Sequence, residues 1–136
     1  MVALPNEVMA LMNEKTAAKV LGTRSSTGDV HLINVGGSGT LDPETVFIGE
    51  IFMKRTGENL KVAQKEGTLV SVLVSKGYQS YEIKAKVKDH QASGPVFEKM
   101  AGVFKAMKFD LKGLWLLTPI EVWNQSPTYD AGKKVA

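Results

Sequence analysis

The segment Met53-Lys54-Arg55-Thr56-Gly57-Glu58-Asn59-Leu60 carries the most informative chemical signal in the chain. The pattern places Thr56 at the N-cap of a helix that runs to Glu66 and stops before Gly67, a residue at home in a left-handed C-cap. Lys54 and Arg55 then stand at the positive end of that helix, where each cation costs about 0.3–1 kcal/mol. An anion would remove the conflict. Free N–H groups, the Thr56 hydroxyl and two cationic side chains together suit a phosphate dianion. A solvated pair at a loop corner fits the same residues equally well.

Several other chemistries fail on residue type or spacing. The chain has no cysteine, which removes disulfides, thiol nucleophiles, iron–sulfur clusters and cysteine-based zinc sites. His31 and His90 are its only histidines, and no Glu-x-x-His or similar ligand spacing occurs, so no metal site is expected. No serine sits in a Gly-x-Ser-x-Gly elbow. No side chain is singled out as a catalytic acid, base or nucleophile. The cluster Gly36-Gly37-Ser38-Gly39 lacks both the Gly-Lys-Ser/Thr of a phosphate loop and the third glycine of a dinucleotide fingerprint, so a flexible hairpin loop is its default reading. Lys84, Lys86 and Lys88 share one face of a strand and read as a solvated or edge-protecting face. A nucleic-acid surface would want interleaved aromatics and arginines, and only Arg24 and Arg55 are present, so no nucleic acid is expected.

The elements that must position the phosphate-type segment follow from periodicity. Val8, Met9, Leu11 and Met12 recur at helical spacing between Pro5 and Lys15. Lys19–Thr23 and Val30–Val35 read as two strands joined by the turn Ser25-Ser26-Thr27-Gly28-Asp29. The Gly36–Gly39 and Asp42-Pro43 loop leads into a strand over Thr45–Ile51. Thr68–Ser75 is a buried strand by composition, and Ser80–Asp89 alternates Tyr81, Ile83, Ala85 and Val87 with Glu82 and the three lysines. Ser93-Gly94-Pro95 opens a helix with Val96, Met100, Val103 and Met107 on one stripe and Phe97 and Phe104 beside it. Gly113–Trp123 closes the chain as a sixth strand. Short hairpin links and few helices predict a mostly β fold of α+β type, a six-stranded antiparallel barrel.

The 136 residues suit one domain over 1–136, with a helix in 1–16 and a tail over 124–136. Hydrophobic residues at 43% and charged residues at 23% are ordinary for a globular domain, and the net charge of +3 is mild. Met1–Leu4 runs into Pro5 and Asn6 without the apolar core of a signal peptide. The apolar stretch Gly113–Trp123 is too short to cross about 30 Å of hydrocarbon. A soluble, cytoplasmic protein with no membrane association is expected.

The hairpin ending His31-Leu32-Ile33-Asn34-Val35, the strand Val46-Phe47-Ile48-Gly49, the basic-Thr-x-x-Asn-Leu segment after it and the tail Ser126-Pro127-Thr128-Tyr129-Asp130-Ala131-Gly132-Lys133 occur in a telling order. In this the chain resembles the FMN-binding split barrels related to pyridoxamine 5′-phosphate oxidase, in particular the short bacterial FMN-binding proteins, over roughly Ala18 to Trp123. The resemblance implies a homodimer of split barrels with FMN at the subunit interface. It implies that Lys54, Arg55 and Thr56 hold the phosphate, and that Asn34, Val35, Ile48 and Gly49 run along the flavin ring and offer it backbone hydrogen bonds. The tail would reach towards the partner's flavin, with Trp123 or Tyr129 over the ring. The Arg-x-His motif with which the true oxidase holds its substrate is missing, because no arginine follows Arg55 and no histidine follows His90. Vitamin B6 oxidation is therefore not expected. The expectation is a flavoprotein exchanging hydride or electrons with a redox partner or small-molecule substrate. The rivals are a deazaflavin or haem on the same fold, haem leaving only His31 and His90 as axial ligands, and a cofactor-free basic module for an acidic partner.

Overall fold

The computed structural model describes residues 1–136 throughout. The elements follow in the order α1 (Asn6–Met12), β1 (Ala18–Arg24), β2 (Val30–Asn34), β3 (Ser38–Asp42), β4 (Thr45–Glu50), α2 (Arg55–Glu66), β5 (Leu69–Lys76), β6 (Gln79–Gln91), α3 (Pro95–Ala106) and β7 (Gly113–Asn124). Every expected helix and strand forms, and one more joins them. Ser38–Asp42, expected as loop, pairs antiparallel with β4 through Ser38↔Ile48, Gly39↔Phe47 and Thr40↔Val46, making seven strands rather than six. The glycine that suggested flexibility is there for space. A Cβ on Gly39 would lie 2.6 Å from Asn13 Oδ1 and 2.9 Å from the Phe47 ring.

All strand pairs are antiparallel, in the order β2-β1-β5-β6-β7-β4-β3. The two edge strands, β2 and β3, are joined only by Val35–Gly37. Four Cα steps reach at most about 14 Å, whereas six interstrand gaps would hold the edges of a flat sheet about 29 Å apart. The sheet must therefore roll up, and the unpaired seam between β2 and β3 is the split in the barrel. Register shifts at Lys84/Ala85 and Val87/Asp89 bend the long β6 against β7, and Pro119 sits beside the first of them.

The barrel interior is filled from β1, β4, β5, β6 and β7 by residues such as Leu21, Val72, Ile83, Val46, Ile48, Trp115 and Leu117, with Val8, Leu11 and Met12 of α1 and Leu60 and Ala63 of α2 packed on the same core. A smaller cluster lies outside the barrel, where Met100 and Phe104 of α3 cover Leu114 and Leu116. Both faces of β7 are thus buried over Gly113–Leu117, which explains the apolar run Leu114–Leu117. The buried stripe of α3 is not the expected one. Val96, Val103 and Met107 are 39, 47 and 46% exposed, while Met100 and Phe104 are buried and Phe97 and Ala101 half-buried. Two apolar stripes compete on this helix, and the groove over Leu114 takes the one with the larger rings.

Three further details position the site. Lys54, not Thr56, precedes the first turn of α2, with no side-chain cap, so the expected Thr56 N-cap is replaced by a buried Thr56 inside the turn. Asn59 Nδ2 donates to Thr23 Oγ1 at 3.0 Å and ties that turn to β1. β6 lies in the middle of the sheet, so Lys84, Lys86 and Lys88 form an outer face and guard no edge. The tail folds back on its own chain: Asn124 N–H donates to Lys133 O, Val135 N–H to Val122 O, and Trp123 bridges to Lys134. No helix is long and apolar enough to cross a membrane.

Candidate functional site

Two clefts share a pair of walls, β2 on one side and the stretch Ile51–Asn59 on the other. The first, of about 460 Å³, is mostly apolar. Its floor is the link Val35–Gly37 with Gly49, and Phe104, Met107 and Phe109 close its far side. Phe52 stands at its rim, 82% exposed. The second, of about 420 Å³, is polar and lies between the Ser25–Thr27 turn, His31, and Arg55, Glu58 and Asn59 of α2.

The order of residues along both walls sets these two clefts end to end, as the two ends of a trough, with no lining residue in common. Along β2, Val30 and His31 belong to the polar end while Ile33 and Asn34 belong to the apolar end. Along the other wall, Ile51–Met53 face the apolar end and Arg55, Glu58 and Asn59 the polar one. The N–H groups of Arg55, Thr56 and Gly57 donate to nothing in the chain, and the first amide of α2 to find a carbonyl is that of Glu58, on Lys54 O at 3.3 Å. An elongated ligand with a flat apolar head would meet an apolar lining at one end and, at the other, Arg55 and the free amides of α2 beside the carboxylates of Asp29 and Glu58.

The floor is built to be thin. Gly49 N–H donates to Gly37 O at 2.8 Å, and neither residue has room for a Cβ beneath the Phe104 ring. Val35 N–H donates to Lys19 O, Ser38 Oγ to Val35 O at 2.5 Å, and the buried Lys19 Nζ to Ser38 O at 3.3 Å, so the link is fastened from below. Burial holds the Lys19 ammonium pKa below its ordinary value, and the nearby Glu14 carboxylate opposes that in part.

A third cleft of about 350 Å³ lies against the same Ile51–Met53 stretch, bounded also by Glu50, Lys54 and Lys112. Glu50 is committed inward: its Oε2 accepts from Trp115 Nε1 at 2.9 Å, and its Oε1 lies 3.5 Å from His90 Nε2. That imidazole nitrogen is buried without a hydrogen-bond partner, and the ring packs against Trp115 with centroids 4.3 Å apart.

The residues singled out from sequence divide among these spaces. Asn34, Val35 and Gly49 line the apolar cleft, and Arg55 lines the polar one. Lys54 turns to the third cleft beside Lys112. Ile48 is fully buried in the barrel core and Thr56 is 2% exposed; neither lines a cleft of the trough. Sequence reading missed Phe52, Phe104 and Phe109, and it missed Gly37 as floor. The two loop phenylalanines belong to no periodic pattern, and the one sign of them is a large apolar residue in a polar connection.

No protein-family model and no curated protein matches the chain. Solved structures match it along most of its length. HupZ of Group A Streptococcus superimposes with a TM-score of 0.78 at 14% identity, over 97% of this chain and 100% of that one. An FMN-binding protein from Syntrophomonas wolfei does so with 0.74 at 15%, over 88% and 84%. A Lactobacillus delbrueckii protein provisionally named a pyridoxamine 5′-phosphate oxidase gives 0.70 at 20%, over 89% and 93%. An F420 reductase and HutZ, the heme storage protein of Vibrio cholerae, share the fold at 0.64 each. The chain thus has the split-barrel fold of the proteins related to pyridoxamine 5′-phosphate oxidase.

Proposed function

We propose that this chain is an FMN-binding flavoprotein, with the flavin ring in the apolar cleft and the phosphate at the Arg55 end of the trough. The observation that carries the reading is the trough itself, two chemically opposite clefts in line between the same two walls. FMN has that division, a flat ring at one end and a dianion at the other. Arg55 with the free amides of Arg55, Thr56 and Gly57 would hold the phosphate. The thin floor at Gly37 and Gly49 would let a ring lie against the backbone, and Asn34, Val35 and Gly49 offer main-chain groups to its polar edge. Lys54 adds charge near the phosphate rather than direct contact, and Thr56 and Ile48 support the site from within.

Bound flavin supplies hydride and single-electron chemistry, and the chain supplies binding, orientation and shielding. The role is that of a redox platform, as enzyme or electron carrier, in a cytoplasmic protein of one domain. The missing Arg-x-His motif speaks against vitamin B6 oxidation. A homodimer with the flavin at its interface is supported by the exposed apolar side chains on the outward face of β2, Val30 at 75% and Leu32 at 64%, next to the trough.

A haem reading of the same fold is narrowed by one observation. His90 Nε2 is buried against Glu50, which leaves His31 as its axial candidate. A deazaflavin would use the same trough as FMN. The test is the visible spectrum of the purified protein, with mass spectrometry of whatever it releases on denaturation. A yellow protein releasing FMN is the expected result. A protein that is colourless and takes up no added FMN overturns the reading in favour of a basic binding module.

A further inference from the structure

The trough wall formed by Ile51, Phe52 and Met53 has no backbone hydrogen bond of its own. No N–H or C=O of these three residues is paired with another backbone group, so the stretch hangs between its two ends. At the far end α2 is tied to β1 through Asn59 and Thr23. The near end is Glu50, the last residue of β4.

Glu50 is fixed at three points. Its carbonyl accepts from Lys112 N–H at 2.8 Å, and its Oε2 accepts from Trp115 Nε1 at 2.9 Å. Its Oε1 faces His90 Nε2 at 3.5 Å, a nitrogen buried with no hydrogen-bond partner. Gly113 stands opposite Glu50 in the register of β4 and β7 and leaves room for this cluster, since a Cβ there would lie 2.8 Å from Oε1 and press on the imidazole as well. The Trp115 indole needs only one acceptor. Sinking a carboxylate and an imidazole over it is a costly way to supply one if packing is the sole purpose. The cluster does one thing more: it holds the end of β4 where the unbonded wall begins.

We propose that Glu50 is a positioning residue for the flavin: held by Trp115 and His90, it sets the place of Ile51, Phe52 and Met53 in the apolar cleft, although it lines neither cleft of the trough itself. This rests on reading the apolar cleft as the flavin site. The effect falls on the ring end, which FMN and riboflavin share, and not on the phosphate end at Arg55.

Glu50→Leu removes the anchor. Glu50→Gln keeps it, because an amide oxygen accepts from the Trp115 N–H and an amide N–H donates to His90 Nε2. His90→Phe leaves a ring on Trp115 without the nitrogen and serves if Glu50→Leu does not fold. Riboflavin and FMN are titrated well below the melting temperature of each variant, so that only folded protein is read. Glu50→Leu is expected to weaken both ligands about five-fold or more, the scale of one lost hydrogen bond, and His90→Phe to weaken both to a smaller extent. Glu50→Gln is expected to stay within about two-fold of the wild type. In methyl NMR of the ligand-free protein, the Ile51 and Met53 signals should move in Glu50→Leu and return in Glu50→Gln. Wild-type affinity in folded Glu50→Leu or in His90→Phe, or equal losses in Glu50→Leu and Glu50→Gln, overturns the assignment. A wild type that binds neither ligand counts against the flavin reading alone, and Ile51 and Met53 signals unmoved in the variants then overturn the role of Glu50.

Discussion

Gly49 donates its backbone N–H to the carbonyl of Gly37 at 2.8 Å, and Phe104 lies over both residues. A Cβ on Gly37 would come 2.5 Å from the Phe104 ring, and one on Gly49 would come 2.6 Å from it. The floor of the apolar cleft and its aromatic wall are therefore set by the same pair of glycines. Either Gly37→Ala or Gly49→Ala should push Phe104 outward, with a stability loss of about 1–3 kcal/mol from overpacking. Flavin binding should weaken in step, for FMN and riboflavin alike. Urea unfolding and a flavin titration of each variant check this; an alanine variant that keeps both stability and affinity would remove the glycines from the site.

The polar cluster under the third cleft makes a separate prediction. Trp115 Nε1 is satisfied by Glu50 Oε2, and Trp115 is fully buried. Glu50→Leu should cost about 1–3 kcal/mol because a buried donor loses its acceptor. A urea midpoint within experimental error of the wild type would show that Glu50 does not hold this tryptophan.

Lys19 gives the fold a pH dependence with a definite sign. Burial lowers its folded pKa below 10.5. Between the folded and unfolded values the unfolded chain binds more protons, so this group's contribution to stability rises with pH through that window. Below the folded value both states carry the proton, and the full cost of burying the charge is present. Lys19→Met should therefore unfold no more easily than the wild type at pH 7, and any advantage should shrink as pH approaches 10.5. Thermal melts across that range measure it, and a variant clearly less stable at pH 7 would mean that the bond to Ser38 O outweighs the burial cost.

The proposed dimer places the outward face of β2 against a second copy. Leu32 adjoins a shallow apolar hollow formed with Val20, Gly22 and Leu73 on the same outer sheet surface. Leu32→Glu should shift the protein to monomer in analytical ultracentrifugation and lower its flavin affinity. A wild-type monomer, or an unchanged dimer in the variant, contradicts the interface.

Much of this architecture was legible in the sequence because alternation is hard to mistake. β6 reads directly as Tyr81, Ile83, Ala85 and Val87 against charged neighbours, and the barrel interior takes those four. Of the Lys54–Arg55 pair, Arg55 lines the polar cleft. β3 was not legible, because a Gly-Gly-Ser-Gly run looks the same whether its glycines bend or make room, and only the Phe47 ring beside Gly39 decides. On α3, Val96 and Val103 carry the same spacing as Phe97 and Phe104, and the choice between them is made by Leu114 and Leu116, distant in sequence. Adjacency misled at the site as well. Lys54 and Arg55 are neighbours in the chain yet serve different clefts.

The account stands on the phosphate end of the trough, and a paired titration of FMN and riboflavin tests it most directly. Wild-type protein should bind FMN more tightly than riboflavin. Arg55→Ala should weaken FMN by about ten-fold, the scale of one charge-assisted hydrogen bond, and leave riboflavin unchanged. Equal affinities for the two ligands in the wild type, or equal losses for both in Arg55→Ala, would contradict it.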